Sequence, residues 1–442
     1  MKKRLFVYSV DAMVQEDAAY LRDLPGSAFA RFCENSSGPE SVRTVYPSLT
    51  YPAHVAIQTG CYPEKNGVYT NYLFSTDHCD RDWTWDSRLI RSDNIFSVAK
   101  RGGYTTSALF WPVTSYNTDI DFHMPEYWLA HSGETLRSAF SQRGASPEML
   151  DIMEKHAHLL PRDYARGGMA NFAQEPEFDD FLIHVACDVI RQYKPEVMFI
   201  HGSLIDSLRH KNGVFCPEVL AGLQQVDRWL DMLFQAFRDA GTLEDTNFVI
   251  LSDHGQLDYV RESRPNAFLA DRGFIQLDEK GRVTDYTAYG IHNGLSMTFW
   301  LKDPSDQNAH DAVLAALRDM AAQGDCGFTR VFTRQEAAQQ YHLDGDFAFI
   351  AEGDGQTSFA DACTPPYITS VPLRDHCVSR GNHGHLPDTG PQPVFFAKGP
   401  DFRQNVALPR REIVDEAPTF ARLLGVELRD AQGVPMTELL RN

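Results

Sequence analysis

Side chains able to do metal or acid–base chemistry gather in four short stretches, each beside an apolar run. Asp11 ends LFVYSVD; Asp206 and His210 follow VMFIHGSLI; Asp253 and His254 follow FVILS; His383-Gly384-His385 precedes PVFFAK. Carboxylates and imidazoles converging without cysteine suit Zn²⁺ or a similar divalent cation. Each stretch also has an ordinary reading. Asp and Gly commonly leave strands in turns, Asp206 and His210 have the i,i+4 spacing of a helix-surface pair, and Asp11 can cap a helix. Four such stretches at strand ends favour one shared site. A fifth, VYPSLTYPAHVAIQTG (45–60), puts Thr50 at the start of a helical run, with Pro52 in its first turn and Gly60 at its exit. Thr50 there serves as cap or as nucleophile. The two are compatible, because a helix start aims free N–H groups at an anion. His54 is expected to pack within or beside that helix.

The elements that must hold these residues alternate. LFVYSVD is a short β-rich run of the kind buried on both faces. NIFSVAKRGG reads as helix, YTTSALFWP as strand, and PEVMFIHGSLID as a strand ending in a loop. CPEVLAGLQQVDRWLDMLFQAFRDAG carries apolar residues with a period near 3.6, and Gly241 stops it. TNFVILSDHG is another buried strand, and QPVFFAKGP with a helix from Val414 to Leu424 closes the pattern. This order predicts an α/β fold with a mostly parallel central sheet and helices on both faces. In such a sheet ligands bind at the carboxyl edge of the strands, where the four stretches fall. The core is expected over 1–264 and 371–442, with helices and loops inserted at about 113–180. Residues 265–370, with LSMTFWL, DFAFIAEG and the helix DQNAHDAVLAALRDMAAQG, predict a small inserted α+β subdomain.

Composition narrows the partners. Sixty Asp+Glu against 41 Lys+Arg give a net charge of −19 over 442 residues. That balance disfavours nucleic-acid polymers and anionic membranes, and an anionic substrate then needs a local positive centre such as bound metal. No apolar run approaches the ~20 residues of a membrane span, and the N-terminal LFVYSV is too short for a signal peptide. The eight cysteines are scattered without a CxxC pair, so free thiols and a cytoplasmic location are expected.

The sequence resembles the nucleotide pyrophosphatase/phosphodiesterase family of the alkaline phosphatase superfamily. The likeness is carried by SVD (9–11), YPSLTYPAHVAIQTGCYPEKNGVYTN (46–71), FWP (110–112), DSLRH (206–210), SDHG (252–255) and NHG (382–384), in the family's order. It implies an alkaline phosphatase-like core and two metal sites. Asp11, Thr50, Asp253 and His254 would hold one divalent ion; Asp206, His210 and His383 would hold the other. The ions implied are Zn²⁺ first, with Mn²⁺ or Mg²⁺ as alternatives. Thr50 would be the nucleophile, and Asn71 would donate to a non-bridging phosphate oxygen. His385 stands where the family usually has an aromatic residue and is a substitute for His383 as ligand. Physical chemistry agrees with such a role for Thr50. A threonine hydroxyl is a poor nucleophile near pH 7, no Ser-His-Asp order is present to activate it, and metal coordination lowers its pKa. Two metals about 4 Å apart can clamp the attacking and leaving oxygens of an in-line displacement.

The implied activity is hydrolysis of phosphodiester or pyrophosphate bonds in small nucleotide-like substrates through a phosphothreonine. A phosphonate hydrolase or phosphomonoesterase on the same core is the alternative, and a non-catalytic metal- or nucleotide-binding protein the reading from another class. Tyr51 holds the position where the resembling enzymes set an aromatic ring against a nucleobase. Tyr127 and Trp128 are candidates for the opposite wall, since base–aromatic stacking contributes about 1–3 kcal/mol. Arg209 replaces a glycine common before the metal-binding His, and its guanidinium is a candidate for a second phosphate or for a carboxylate partner. Asn66 replaces a common His, and Gln256 the usual Met after DHG.

Overall fold

Arg4–Val10 forms the strand expected of an apolar run covered on both faces. Its side chains part by parity: Leu5 and Val7 enter one apolar cluster, Phe6, Tyr8 and Val10 the other. The computed structural model describes residues 2–77, 81–127, 133–160, 176–371 and 380–441. Six strands form the central sheet in the order Phe395–Lys398, Thr246–Leu251, Arg4–Val10, Val197–Gly202, Thr106–Leu109, Phe122–Met124. All neighbours run parallel except Phe395–Lys398, which pairs antiparallel with Thr246–Leu251. Helices Glu177–Tyr193 and Pro217–Ala240 cover one face; Thr50–Thr59, Ile95–Arg101 and Glu416–Leu424 cover the other.

The register aligns the strand ends that carry the polar residues. Ser9 lies opposite both His201 and Leu251, Val10 lies opposite Gly202, and the Asp11 N–H donates to the Gly202 carbonyl at 2.9 Å. Asp11, the turn after Gly202 and the Asp253-His254 pair therefore leave the sheet side by side. Two expectations need correcting. The loop foreseen after VMFIHG shrinks to Ser203, and the helix Leu204–Asn212 starts at once. Thr50 is the first helical residue rather than the cap; Leu49 holds the cap position without a side-chain hydrogen bond. The Thr50 hydroxyl is thus not spent on the backbone.

A second sheet, four antiparallel strands, orders Ala288–His292, Ser296–Leu301, Phe349–Gly353 and Phe328–Thr333 around its own apolar cluster. Gln307–Gln323 is the helix expected from the intervening repeat, capped by Asp306. This sheet braces two loops of the site through Glu352. The Tyr46 hydroxyl donates to Glu352 Oε2, and the Leu386 N–H to Oε1, both at 2.9 Å.

Burial raises the Glu352 carboxyl to about 8, against the lowering pull of those two donors. Its folded value lies above its unfolded one, so its contribution is full below about pH 4 and is lost as pH climbs to about 8. Glu352→Gln should accordingly raise the thermal midpoint relative to the parent above pH 8, with the gain shrinking toward pH 5. Melting curves across that range provide the measurement.

Candidate active site

The Thr50–Thr59 helix is buried along its whole length, and its amino end faces the carboxyl edge of the sheet. Thr50 Oγ1 sits 3.1 Å from His254 Nε2. The same nitrogen is 3.2 Å from Asp253 Oδ2 and 3.5 Å from Asp11 Oδ1. One helix turn beyond the sheet, Asp206 Oδ2 lies 3.2 Å from His210 Nε2, and Asp206 Oδ1 lies 3.7 Å from His383 Nε2. The i,i+4 spacing of Asp206 and His210 is therefore a helix pair, and it is aimed into the site rather than at solvent. The His383 ring stacks on His254 at 4.2 Å and joins the two clusters. All seven expected ligands come together around a cavity of about 330 Å³, with Asp253 and His254 fully buried beneath it.

The donor set fits divalent cations. Asp11, Asp253 and His254 form one group of ligand atoms, and Asp206, His254 and His383 another, each within 4.8 Å. Asp11 Oδ1 and Asp253 Oδ2 are buried with no hydrogen-bond partner among the described residues, a costly state for carboxylates unless a cation meets them. Burial drives the Asp11 carboxyl well above its usual range, and the charges of Asp253 and Asp206 push the same way. Burial also opposes charge on Asp206 and His210. Their contact outweighs it, holding Asp206 below and His210 above their ordinary values.

Supporting side chains fix these donors. His201 Nε2 is 3.1 Å from Asp11 Oδ2; the Ala12 N–H donates to Asp253 Oδ1 at 3.1 Å. Gln256 donates to the Asp206 carboxylate and, at 3.2 Å, to its carbonyl. The residue that departs from the family's Met is thus a clamp on a ligand. His54 is fully buried, with Nδ1 2.8 Å from the Thr50 carbonyl and 3.5 Å from Asp253 Oδ2, and Nε2 2.9 Å from Ser9 Oγ. Burial holds the pKa of His54 and of His201 at about 3, so both are neutral near pH 7. His385 turns away: its Nε2 engages the Thr389 carbonyl, leaving His383 as the imidazole of the cluster. Gly384 between them has φ 88°, and a Cβ there would sit 1.6 Å from the Asn293 carbonyl oxygen, so only glycine lets the loop pass.

Substrate-wall expectations divide. Tyr51 lines the cavity, its ring 5.3 Å from Trp83. Asn71 Oδ1 accepts from the Tyr51 N–H at 3.0 Å, which leaves its amide NH₂ as the donor end. Tyr127 is a correction. Arg143 covers its ring at 3.1 Å from the centroid, its hydroxyl donates to Glu134, and it packs behind Trp85, away from the cavity. Trp128 lies outside the described residues. Arg209 is a second correction: it is fully buried, and Asp17 captures its guanidinium. In their place the cavity offers Tyr72 and Trp83, rings 4.7 Å apart, and Glu126, whose carboxyl lies beside the Tyr51 hydroxyl and is lifted well above the ordinary range by burial. Aromatic abundance hid Tyr72 and Trp83 in the sequence. Glu126, in MPEYW, gave no signal of its own.

Sheet order and the arrangement of helices on both faces define an α/β protein with an alkaline phosphatase-like fold. More closely, the family described as type I phosphodiesterase / nucleotide pyrophosphatase matches residues 5–384, and the chain belongs to it. Among its relatives, mouse ectonucleotide pyrophosphatase/phosphodiesterase family member 1 is 23% identical over 222 residues, 49% of this chain and 20% of that protein. The Caenorhabditis elegans ectonucleotide pyrophosphatase/phosphodiesterase C27A7.3 is 22% identical over 435 residues, 96% of this chain and 47% of that protein. The chain thus spans half or less of the length of these relatives. The solved structure of murine member 5 superposes with a TM-score of 0.68 at 18% identity, covering 99% of this chain and 100% of that one. An inactive form of that murine protein, solved in complex with AMP, superposes with the same TM-score.

Proposed function

We propose that the chain is a two-metal hydrolase of phosphodiester or pyrophosphate bonds in small nucleotide-like substrates, working through a phosphothreonine at Thr50. The observation that carries this reading is Thr50 Oγ1 on the cavity, 3.1 Å from His254 Nε2 and outside the helix-capping role. Asp11, Thr50, Asp253 and His254 would hold one divalent ion, and Asp206, His210 and His383 the other. Carboxylate and imidazole donors favour Zn²⁺, with Mn²⁺ or Mg²⁺ as alternatives. When bound, such ions supply Lewis-acid charge to the attacking and leaving oxygens.

The chain's own groups do the rest. Thr50 Oγ1 forms a bond to phosphorus as the ester or anhydride oxygen departs. Asn71 presents its NH₂ to a non-bridging oxygen, and the open amino end of the Thr50 helix favours the phosphate's negative charge. Water then cleaves the phosphothreonine and restores the hydroxyl. Tyr51, Tyr72 and Trp83 form the aromatic wall for a planar group. The AMP held by the murine neighbour supports a nucleotide-like occupant.

Substrate rates decide the bond type. Metal-reconstituted protein should hydrolyse an aryl phosphodiester and a dinucleoside polyphosphate at least about tenfold faster than the corresponding monoester or phosphonoacetate. Full chelation should stop all turnover, and persistence of activity after chelation would end the two-metal reading.

A further inference from the structure

Arg209, two residues short, is buried on Asp17; the cation that reaches the cavity is Lys211. Among the described residues lining the cavity it is the sole Lys or Arg, and it is half-buried. No described residue gives it an ion pair or hydrogen bond, in a chain where most basic side chains near the surface meet a carboxylate. One helical turn earlier on the same face is Ser207. It is 3% exposed, lines the cavity, and its hydroxyl has no hydrogen-bond partner among the described residues. Ser203, a further turn back, has its hydroxyl taken up by Asp179. The four-residue spacing makes Ser207 and Lys211 one stripe of the Leu204–Asn212 helix, directly beside the stripe that carries Asp206 and His210. A group leaving from the Asp206 cluster therefore passes over a buried hydroxyl and an ammonium that no described residue pairs.

Charge balance gives this stripe a task. Two divalent ions against Asp11, Asp206 and Asp253 leave a single positive charge, enough for one phosphodiester anion. A leaving group that carries its own phosphate adds negative charge to a protein whose net charge is already −19. We propose that Ser207 and Lys211 form a subsite for a phosphate on the leaving group, so that the preferred bond is a phosphoanhydride rather than an ester of an uncharged alcohol. This rests on the hydrolase reading above and specifies its substrate class.

The test compares two compounds sharing one nucleotide: ATP, which would release pyrophosphate, and the p-nitrophenyl ester of AMP. In metal-loaded Lys211→Met, the kcat/KM ratio of ATP to the aryl ester should fall about tenfold, with Lys211→Arg restoring most of it and Ser207→Ala giving a smaller fall in the same direction. Calorimetric pyrophosphate binding to Thr50→Ala protein should weaken by a similar factor when Lys211→Met is added. An unchanged ratio, equal loss on both substrates, or unchanged pyrophosphate binding overturns the subsite. Failure of the parent to hydrolyse either compound strikes the hydrolase reading instead, and the pyrophosphate measurement still judges Lys211.

Discussion

Thr50→Ala will lower hydrolysis more than about a thousandfold, because a nucleophile has no substitute within a covalent route. The fold should not suffer. Thr50 occupies the first helical position with Leu49 as cap, its side-chain hydrogen bond runs only to His254 among the described residues, and alanine is an excellent helix former. Six other donors, Asp11, Asp253, His254, Asp206, His210 and His383, remain to hold metal, so metal content should stay close to the parent value. Turnover, elemental analysis and a melting curve on one preparation separate the outcomes. A substantially active Thr50→Ala protein removes the phosphothreonine route.

Asp206→Asn tests the other half of the site and should cost at least about a hundredfold in rate, a size expected when a metal ligand's charge is removed. Asp206 meets three neighbours, His210, His383 and Gln256. The isosteric amide keeps the Gln256 contact by turning its oxygen toward that donor, so packing survives while the charge goes. Bound metal should fall by about one ion per chain. Without metal, the change has a second signature: His210, now held above its ordinary pKa by Asp206, should titrate lower in an imidazole NMR titration. Unaltered metal content in Asp206→Asn contradicts the assignment of the second site.

The strands were readable because buried parallel strands are written as apolar runs, as in LFVYSV and NFVIL, and because Gly60 and Gly241 mark helix exits with positive φ. The clustering of the candidate ligands was readable because Asp11, Asp206, Asp253 and His254 each stand at or just past a strand end, where register brings distant residues together. What fails to show in sequence is the direction of a side chain and the partner that claims it. Arg209 stood open between a phosphate and a carboxylate because Asp17, far away in sequence, gave no hint of reaching it. Tyr127 looked like a wall because Arg143 and Glu134 were unplaced. Ser207 and Lys211 were passed over for the same reason: an i,i+4 pair of a serine and a lysine means nothing until the helix face beneath it is known to line a cavity.

The loop carrying His383 is clasped to the segment that leads into the Thr50 helix: Ser48 Oγ donates to the His385 carbonyl at 2.9 Å, and the Gly384 N–H donates to the Ser48 carbonyl at 2.9 Å. These partners stand 337 and 336 positions apart along the chain. On a ribosome working at about 5–20 residues per second, that separation puts tens of seconds between the emergence of the two halves of the clasp. In that interval the nascent chain carries an exposed hydroxyl and unshielded carboxylates, but not the assembled cluster of candidate ligands. The cluster proposed to cleave phosphate therefore waits for the loop at 382–385, so the order of synthesis itself keeps a half-made copy inert.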